Sequence, residues 1–168
     1  MRPDELLKDI AGLIPGMICV DLGSGTGVFS SRMVKIVGPE GLVYAVDNSA
    51  AMLDHLRSSN PPANLKLIQA DASSTGLDNE CADVCLAALI LHEVDSPEKI
   101  IAETYRLLKP GSLAVVIEWK MNTSHGPPRS IRIDPDKARA LFQQAGLIFE
   151  NQVDWSANYY VITARKPL

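Results

Sequence analysis

Apolar and polar positions along this 168-residue chain alternate between a helical rhythm and short, nearly continuous apolar runs. Leu6, Ile10, Leu13 and Ile14 recur at helical spacing, and Pro15-Gly16 predicts the end of that helix. Met17 to Leu22 has the length and character of a strand. A helix is expected from about 26 to 37, with Phe29, Met33, Ile36 and Val37 on one stripe and Gly38-Pro39 as its stop. A second strand at 42–46 leads to a helix starting near Ser49, with Met52, Leu53 and Leu56 facing inward. Asn60-Pro61-Pro62 interrupts the chain before a third strand at 65–68.

The second half continues the pattern. A turn-rich stretch, 71–80, precedes a fourth strand at about 83–88. Ser96-Pro97 reads as N-cap and first helical residue of a helix running to Leu108, and Lys109-Pro110-Gly111 stops it. Leu113 to Glu118 is the fifth strand, and 119–133 is irregular. Asp134-Pro135 starts a helix carrying Ala138, Leu141, Phe142 and Ala145, and 147–154 with 158–165 forms an antiparallel hairpin. Five strand–helix alternations predict a doubly wound, mostly parallel α/β sheet with right-handed crossovers, helices on both faces and the hairpin added at one side. Residues 1–168 read as one domain.

Composition narrows the partners. With a net charge of −4, no overall field draws the molecule to nucleic acid, so no nucleic-acid partner is expected. No apolar run reaches the ~20 residues of a membrane span, and no signal peptide precedes the first helix pattern. The three cysteines, Cys19, Cys81 and Cys85, form neither a disulfide framework nor a zinc spacing. They read as reduced structural thiols in a cytoplasmic protein, with no metal site.

Chemistry enters at the run Val20-Asp21-Leu22-Gly23-Ser24-Gly25-Thr26-Gly27, where a strand turns into a helix. Three alternating glycines keep side chains away from a ligand and allow positive φ. Read from Gly23, a dinucleotide fingerprint would place its last glycine at Val28, so the spacing differs from G-x-G-x-x-G. In such a sheet ligands bind at the carboxyl ends of the strands. Asp47 ends the second strand, 20 residues beyond Gly27, an offset suited to a carboxylate that accepts both ribose hydroxyls. Taken alone, Asp47 would equally be an acid at a helix start, and Asp71, before Ser-Ser-Thr-Gly, a turn residue.

The motif Asp21-x-Gly23-x-Gly25-x-Gly27, the acids Asp47 and Asp71, the strand end Ala88-Leu89-Ile90-Leu91-His92-Glu93-Val94 and the run Leu107-Leu108-Lys109-Pro110-Gly111 stand in the order of class I S-adenosylmethionine-dependent methyltransferases. The chain resembles that family, in a small branch similar to quinone-biosynthesis enzymes. The resemblance is close over 17–118 and topological elsewhere. It implies the strand order 3-2-1-4-5-7-6 and S-adenosyl-L-methionine as cofactor. It also implies that Asp21, Gly23, Ser24, Gly25 and Gly27 hold the methionine end, and that Asp71 and the Ala72 N–H meet adenine. The carbonyls of Ala88 and Leu89 would face the methionine amino group. The residue after the strand-2 acid is commonly apolar in the family and packs on adenine; here it is Asn48, so Met52 one turn on is expected to supply that contact.

His92 either positions or deprotonates an acceptor, or packs structurally above the cofactor. Glu93 reads as a surface or helix-start acid. Glu118 and Trp119, at the end of strand 5, are candidates to line the acceptor pocket. The following loop carries Lys120, His125, Arg129 and Arg132 around Gly126-Pro127-Pro128. It is either a solvated connector or a lid whose cations meet an anionic acceptor. The expected activity is in-line methyl transfer to a small molecule, aided mainly by positioning. The alternatives are an RNA or protein acceptor, a silent cofactor-binding protein, or a nicotinamide oxidoreductase. The missing glycine at Val28 and the terminal hairpin argue against the last. Neither the acceptor nor the oligomeric state is readable from the sequence.

Overall fold

Aliphatic and β-branched runs bounded by glycine, proline and asparagine make the strands. In the computed structural model, which describes residues 3–168, they pair into one sheet. The strands are β1 Ile18–Leu22, β2 Leu42–Asp47, β3 Leu65–Gln69, β4 Ala82–Ala88, β5 Leu108–Trp119, β6 Ile148–Asp154 and β7 Tyr159–Arg165. Their order is β3-β2-β1-β4-β5-β7-β6, with β7 antiparallel to both β5 and β6 and every other pair parallel. This is the order the family resemblance implies. The sheet changes winding direction between β1 and β4, which opens a crevice at their carboxyl ends.

Both faces of the central strands are covered, so their side chains are apolar on both sides. Val20, Leu22, Cys85, Val116 and Ile162 pack under α4 (Pro97–Leu107) and α5 (Pro135–Gln144) through Ile100, Ile101, Leu141 and Phe142. On the other face Cys19, Ala45, Leu86 and Ile117 pack against Met33, Val34 and Val37 of α2 (Ser30–Val37), and against Leu56 of α3 (Ala50–Ser58). Burial pushes the Cys19 thiol up to about 12 and that of Cys85 well above the ordinary range, so neither is a nucleophile at neutral pH. Among the described residues no helix is long and apolar enough to cross a membrane.

Three expected boundaries move. The first helix does not run through Ile14: one turn, α1 Pro3–Glu5, widens into a π-turn over Leu6–Ile10, and Gly12 at φ +65° ends it. Leu13 is therefore buried while Ile14 stays 58% exposed. Helix α2 begins at Ser30 rather than near 26, because Gly27 at φ +83° still belongs to the turn. Strand β5 begins at Leu108, so Lys109-Pro110-Gly111 lies inside an irregular strand start, beside a register shift between Ala82 and Val84. Ser49 and Asp134 cap their helices by accepting from Met52 N and Lys137 N, whereas Ser96 makes no side-chain cap ahead of Pro97.

Candidate functional site

The turn after β1 follows from its three glycines, Gly23, Gly25 and Gly27, at φ +70°, +53° and +83°. Only glycine adopts such angles without strain. A Cβ at Gly23 would run into Ile90 and one at Gly27 into Leu56, so these two allow close packing; at Gly25 it would meet nothing within 4 Å. The turn is tied to β2 where Gly23 N and Ser24 N both donate to Val46 O at 2.9 Å. Asp47 completes the bracing: Oδ2 accepts from Gly25 N at 2.8 Å and Oδ1 from Ser49 N at 2.9 Å. Each oxygen keeps a second lone-pair direction.

A cavity of about 740 Å³ opens at these strand ends. Gly23, Gly25, Asp47 and Asn48 form one part of its wall, and Met52, Asp71, Ala72 and Leu89 another. Ser49, Ser73, Ile90, Val94 and Asp95 also line it, as does the start of α4, where Ser96, Lys99 and Ile100 face the cavity; none of these is expected as a site residue from the sequence. The i, i+3, i+4 spacing of those last three is the signal that would have found them. Glu93, expected at the surface, also borders the cavity while 68% of its side chain is exposed.

Asp21, Ser24, Gly27 and Ala88 are not on this wall; the first three stand behind it. Asp21 is 2% exposed and accepts from Ser30 Oγ at 2.5 Å. Burial pushes its carboxyl up to about 6 against the Ser30 hydrogen bonds, and the nearby Asp47 charge adds to the rise. Ser24 Oγ is buried with no hydrogen-bond partner among the described residues. Asp71 is exposed; Ser73 N and Oγ donate to its Oδ1 at 2.8 and 2.7 Å and hold it below the usual carboxylate range. Its turn is anchored from beneath by buried Glu103, which accepts from Thr75 N and Oγ1 at 2.8 and 2.7 Å.

The ends of β4 and β5 are built differently. Glu118, fully buried, accepts from His92 Nδ1 at 2.7 Å, from His92 N at 3.3 Å and from Trp119 N at 3.2 Å. It thus holds His92 rather than lining the cofactor cavity. The Glu118 hydrogen bond raises the His92 pKa and burial opposes it, for a net rise. Trp119 packs against Tyr159 with ring centres 4.5 Å apart and planes tilted by 54°, and Tyr159, Trp155 and Phe29 continue a row of ring contacts toward the glycine turn. Gly126, at φ +89°, lies over the Trp119 ring, where a Cβ would collide with it.

Arg132 also differs from expectation. Its buried guanidinium donates to the carbonyls of Lys120, Thr123, His125 and Pro127 at 2.7 to 3.0 Å. A sequence shows a cation here but not that the loop wraps around it. Lys120 pairs with Asp154 at 2.8 Å, while His125 and Arg129 are exposed.

A crevice of this kind at the switch point of a 3-2-1-4-5-7-6 sheet, with a glycine turn and two acids on adjacent strands, defines the Rossmann-like class that uses S-adenosylmethionine. The comparisons agree. The methyltransferase domain family model matches residues 20–116, and the chain belongs to that family of S-adenosylmethionine-dependent methyltransferases. It is 32% identical over 115 residues to the ubiquinone/menaquinone biosynthesis C-methyltransferase UbiE of Vibrio vulnificus. That match takes in 66% of this chain and 44% of UbiE, so the chain spans less than half the length of that relative. A crystal structure of an S-adenosylmethionine-dependent methyltransferase from Aquifex aeolicus superposes with a TM-score of 0.89 at 25% identity, covering 97% of this chain and 88% of the other. The [4+2]-cyclase SpnF shares the fold at a TM-score of 0.84 and 19% identity, covering 98% and 80%.

The residues present fit the cofactor. Gly25 opens onto the cavity without a side chain, Asp47 retains acceptor capacity beside it, and buried Ser24 Oγ has no hydrogen-bond partner among the described residues. When bound, S-adenosylmethionine supplies an already activated methyl group.

Proposed function

We propose that the chain transfers a methyl group from S-adenosylmethionine to a small-molecule acceptor, with Asp47 on the ribose hydroxyls, Asp71 and Ala72 at adenine, and the glycine turn at the methionine end. The observation that carries this reading is the placement of Asp47, Asp71 and open Gly25 around one cavity of about 740 Å³. The quinone-biosynthesis relatives favour carbon as the atom methylated. The shared fold of a cyclase is a reminder that the fold alone does not set the reaction. A net charge of −4 favours a small molecule over nucleic acid. With Lys120 paired to Asp154 and Arg132 buried on loop carbonyls, an anionic acceptor would meet Arg129 and His125.

Calorimetric titration tests the cofactor assignment. S-adenosylmethionine and S-adenosylhomocysteine should bind and NADH should not. Asp47→Asn should weaken both by about tenfold, the loss of roughly 1.4 kcal/mol of charge-assisted hydrogen bonding. Binding of NADH alone would overturn the reading. A screen with radiolabelled methyl donor against phenols, thiols and quinols then identifies the acceptor, and Arg129→Ala should raise KM for an anionic one.

A further inference from the structure

The turn that carries Asp71 and Ala72 has little regular structure of its own. Asp71 forms an isolated bridge with Ser74, and Ser74 N closes the turn by donating to Asp71 O at 2.9 Å. Its firm attachment is to α4, where Ser96, Lys99 and Ile100 line the cavity and Glu103 continues the same helix face. Glu103 is 6% exposed, and its Oε1 accepts from Thr75 N at 2.8 Å, from Thr75 Oγ1 at 2.7 Å and from Arg106 Nη2 at 2.7 Å. Oε2 accepts from Arg106 Nε at 2.7 Å, so guanidinium and carboxylate meet through two bonds. Arg106 reaches the same loop, donating to Leu77 O at 2.8 Å and to Asn79 Oδ1 at 2.6 Å. Its own carbonyl accepts from Glu80 N at 2.9 Å.

Packing alone does not call for this arrangement. An apolar side chain at 103 would fill the space without the cost of taking a carboxylate out of water. Burial pushes the Glu103 pKa up, but the bonds from Arg106 and Thr75 outweigh it and hold the group below the usual carboxylate range. The charge is thus maintained inside the protein, and what it grips is the main chain at Thr75, close in sequence to Asp71 and Ala72. Asp71 is oriented as well as charged. Ser73 N and Oγ donate to its Oδ1, and Lys99, on the same face of α4 as Glu103, adds to the lowering of its pKa. Helix α4 therefore acts on the turn at both of its ends.

We infer that Glu103, aligned by Arg106, is a positioning residue for recognition of the cofactor's base: by gripping Thr75 it sets Asp71 and the Ala72 N–H at the spacing that reads adenine and rejects an oxo base. This deepens the methyltransferase reading and rests on its assignment of Asp71 and Ala72 to adenine. Adenine presents an amino donor beside a ring-nitrogen acceptor, which a carboxylate and a backbone N–H complement. Hypoxanthine presents the reverse, a carbonyl acceptor beside a ring N–H, so acceptor would face acceptor and donor would face donor. That mismatch discriminates only while both protein groups stay in place, because a turn free to shift lets water bridge the wrong pair. Glu103 is not on the cavity wall and touches no ligand; its effect passes through the main chain between Ala72 and Thr75.

The test needs no known acceptor. Calorimetry on the whole chain compares S-adenosylhomocysteine with S-inosylhomocysteine, which differ only in the base. The unsubstituted chain should prefer the adenine compound by about 30-fold or more, because the wrong base leaves the site's polar groups unpaired. Glu103→Gln keeps the size of the side chain and removes its charge. It should weaken S-adenosylhomocysteine about tenfold and S-inosylhomocysteine less than about twofold, so that the preference collapses. Thr75→Val, which replaces the hydroxyl with a methyl, should lower the preference about threefold, and Thr75→Ser should keep it. A general loosening of the protein would weaken both compounds alike. An unchanged preference in Glu103→Gln and Thr75→Val therefore overturns the inference and leaves the methyltransferase assignment standing. If S-adenosylhomocysteine does not bind the unsubstituted chain, the assignment itself falls. If the two compounds bind that chain equally, the adenine roles of Asp71 and Ala72 fall, and the inference with them. Thr75→Val decides where Glu103→Gln fails to fold.

Discussion

At the ends of β1, β2 and β3 the cavity wall is main chain and short side chains: open Gly25, Asp47 braced by two backbone N–H groups, and exposed Asp71 held by Ser73. At the ends of β4 and β5, side chains hold side chains and loops beneath the surface, through Glu118 on His92 and Arg132 on four carbonyls. One half is a local fold of the backbone, with its polar groups left available to a ligand. The other is an internal network whose polar groups are engaged with one another. The contrast shows a division of labour. The first half turns main-chain groups and short side chains toward the cavity, whereas the second is held by side chains that distant segments bring together.

The largest effect that would break this contrast is expected at Arg132. Arg132→Leu removes a charged donor from four carbonyls, and about 4 kcal/mol of stability should be lost, since hydrogen bonds to charged groups are worth roughly 1.5–3 kcal/mol each and water replaces some. Urea unfolding reads the loss, and limited proteolysis should cut within 121–131. Affinity for S-adenosylhomocysteine should stay within about threefold, because the first half stands apart from this network. A large drop in affinity would show that the two halves are one unit.

Asp21 offers a gain instead. Its folded pKa of about 6 lies above the ordinary 3.8, so the folded state binds the proton more tightly. That contribution is complete below about 3.8 and is lost as pH rises through 6, leaving a cost near 3 kcal/mol at pH 7.5. Asp21→Asn should stabilise the unliganded protein by up to about that amount at pH 7.5 and flatten its urea midpoint between pH 4 and 7. No gain would mean that water or a cation reaches the carboxylate.

Met52→Ala, on the exposed part of the cofactor wall, should have the smallest effect. Losing a partly buried thioether contact costs about 1 kcal/mol, roughly fivefold in Kd for S-adenosylhomocysteine, with stability unchanged.

The first half is legible in the sequence because its parts are neighbours in sequence. The glycines follow Asp21 within six residues, and Asp47 and Asp71 stand at the ends of strands whose apolar runs are plain. The second half is hidden because only strand pairing joins His92 to Glu118, and because Arg132 differs from a solvated cation only in what the loop does around it. The misplaced start of α2 has a similar cause. Phe29 keeps step with Met33 on the helical stripe, yet the positive φ of Gly27 holds the turn open until Ser30. Strand β5 begins early for the opposite reason: a proline and a glycine that should end a segment sit instead at an irregular strand start, where Gly111 N donates to Lys166 O at 3.0 Å.

The insertion of β7 between β5 and β6 has a consequence for how the molecule is made. Every parallel pair in the sheet is complete once β5 has been synthesised, but the far edge of β5 waits for Tyr159–Arg165 to emerge from the ribosome. Until then its row of amides, running through Val115, Val116 and Ile117, is an open template for another chain. The nascent protein is most vulnerable to aggregation during that interval, and a chaperone or fast synthesis of the last segment would shorten it.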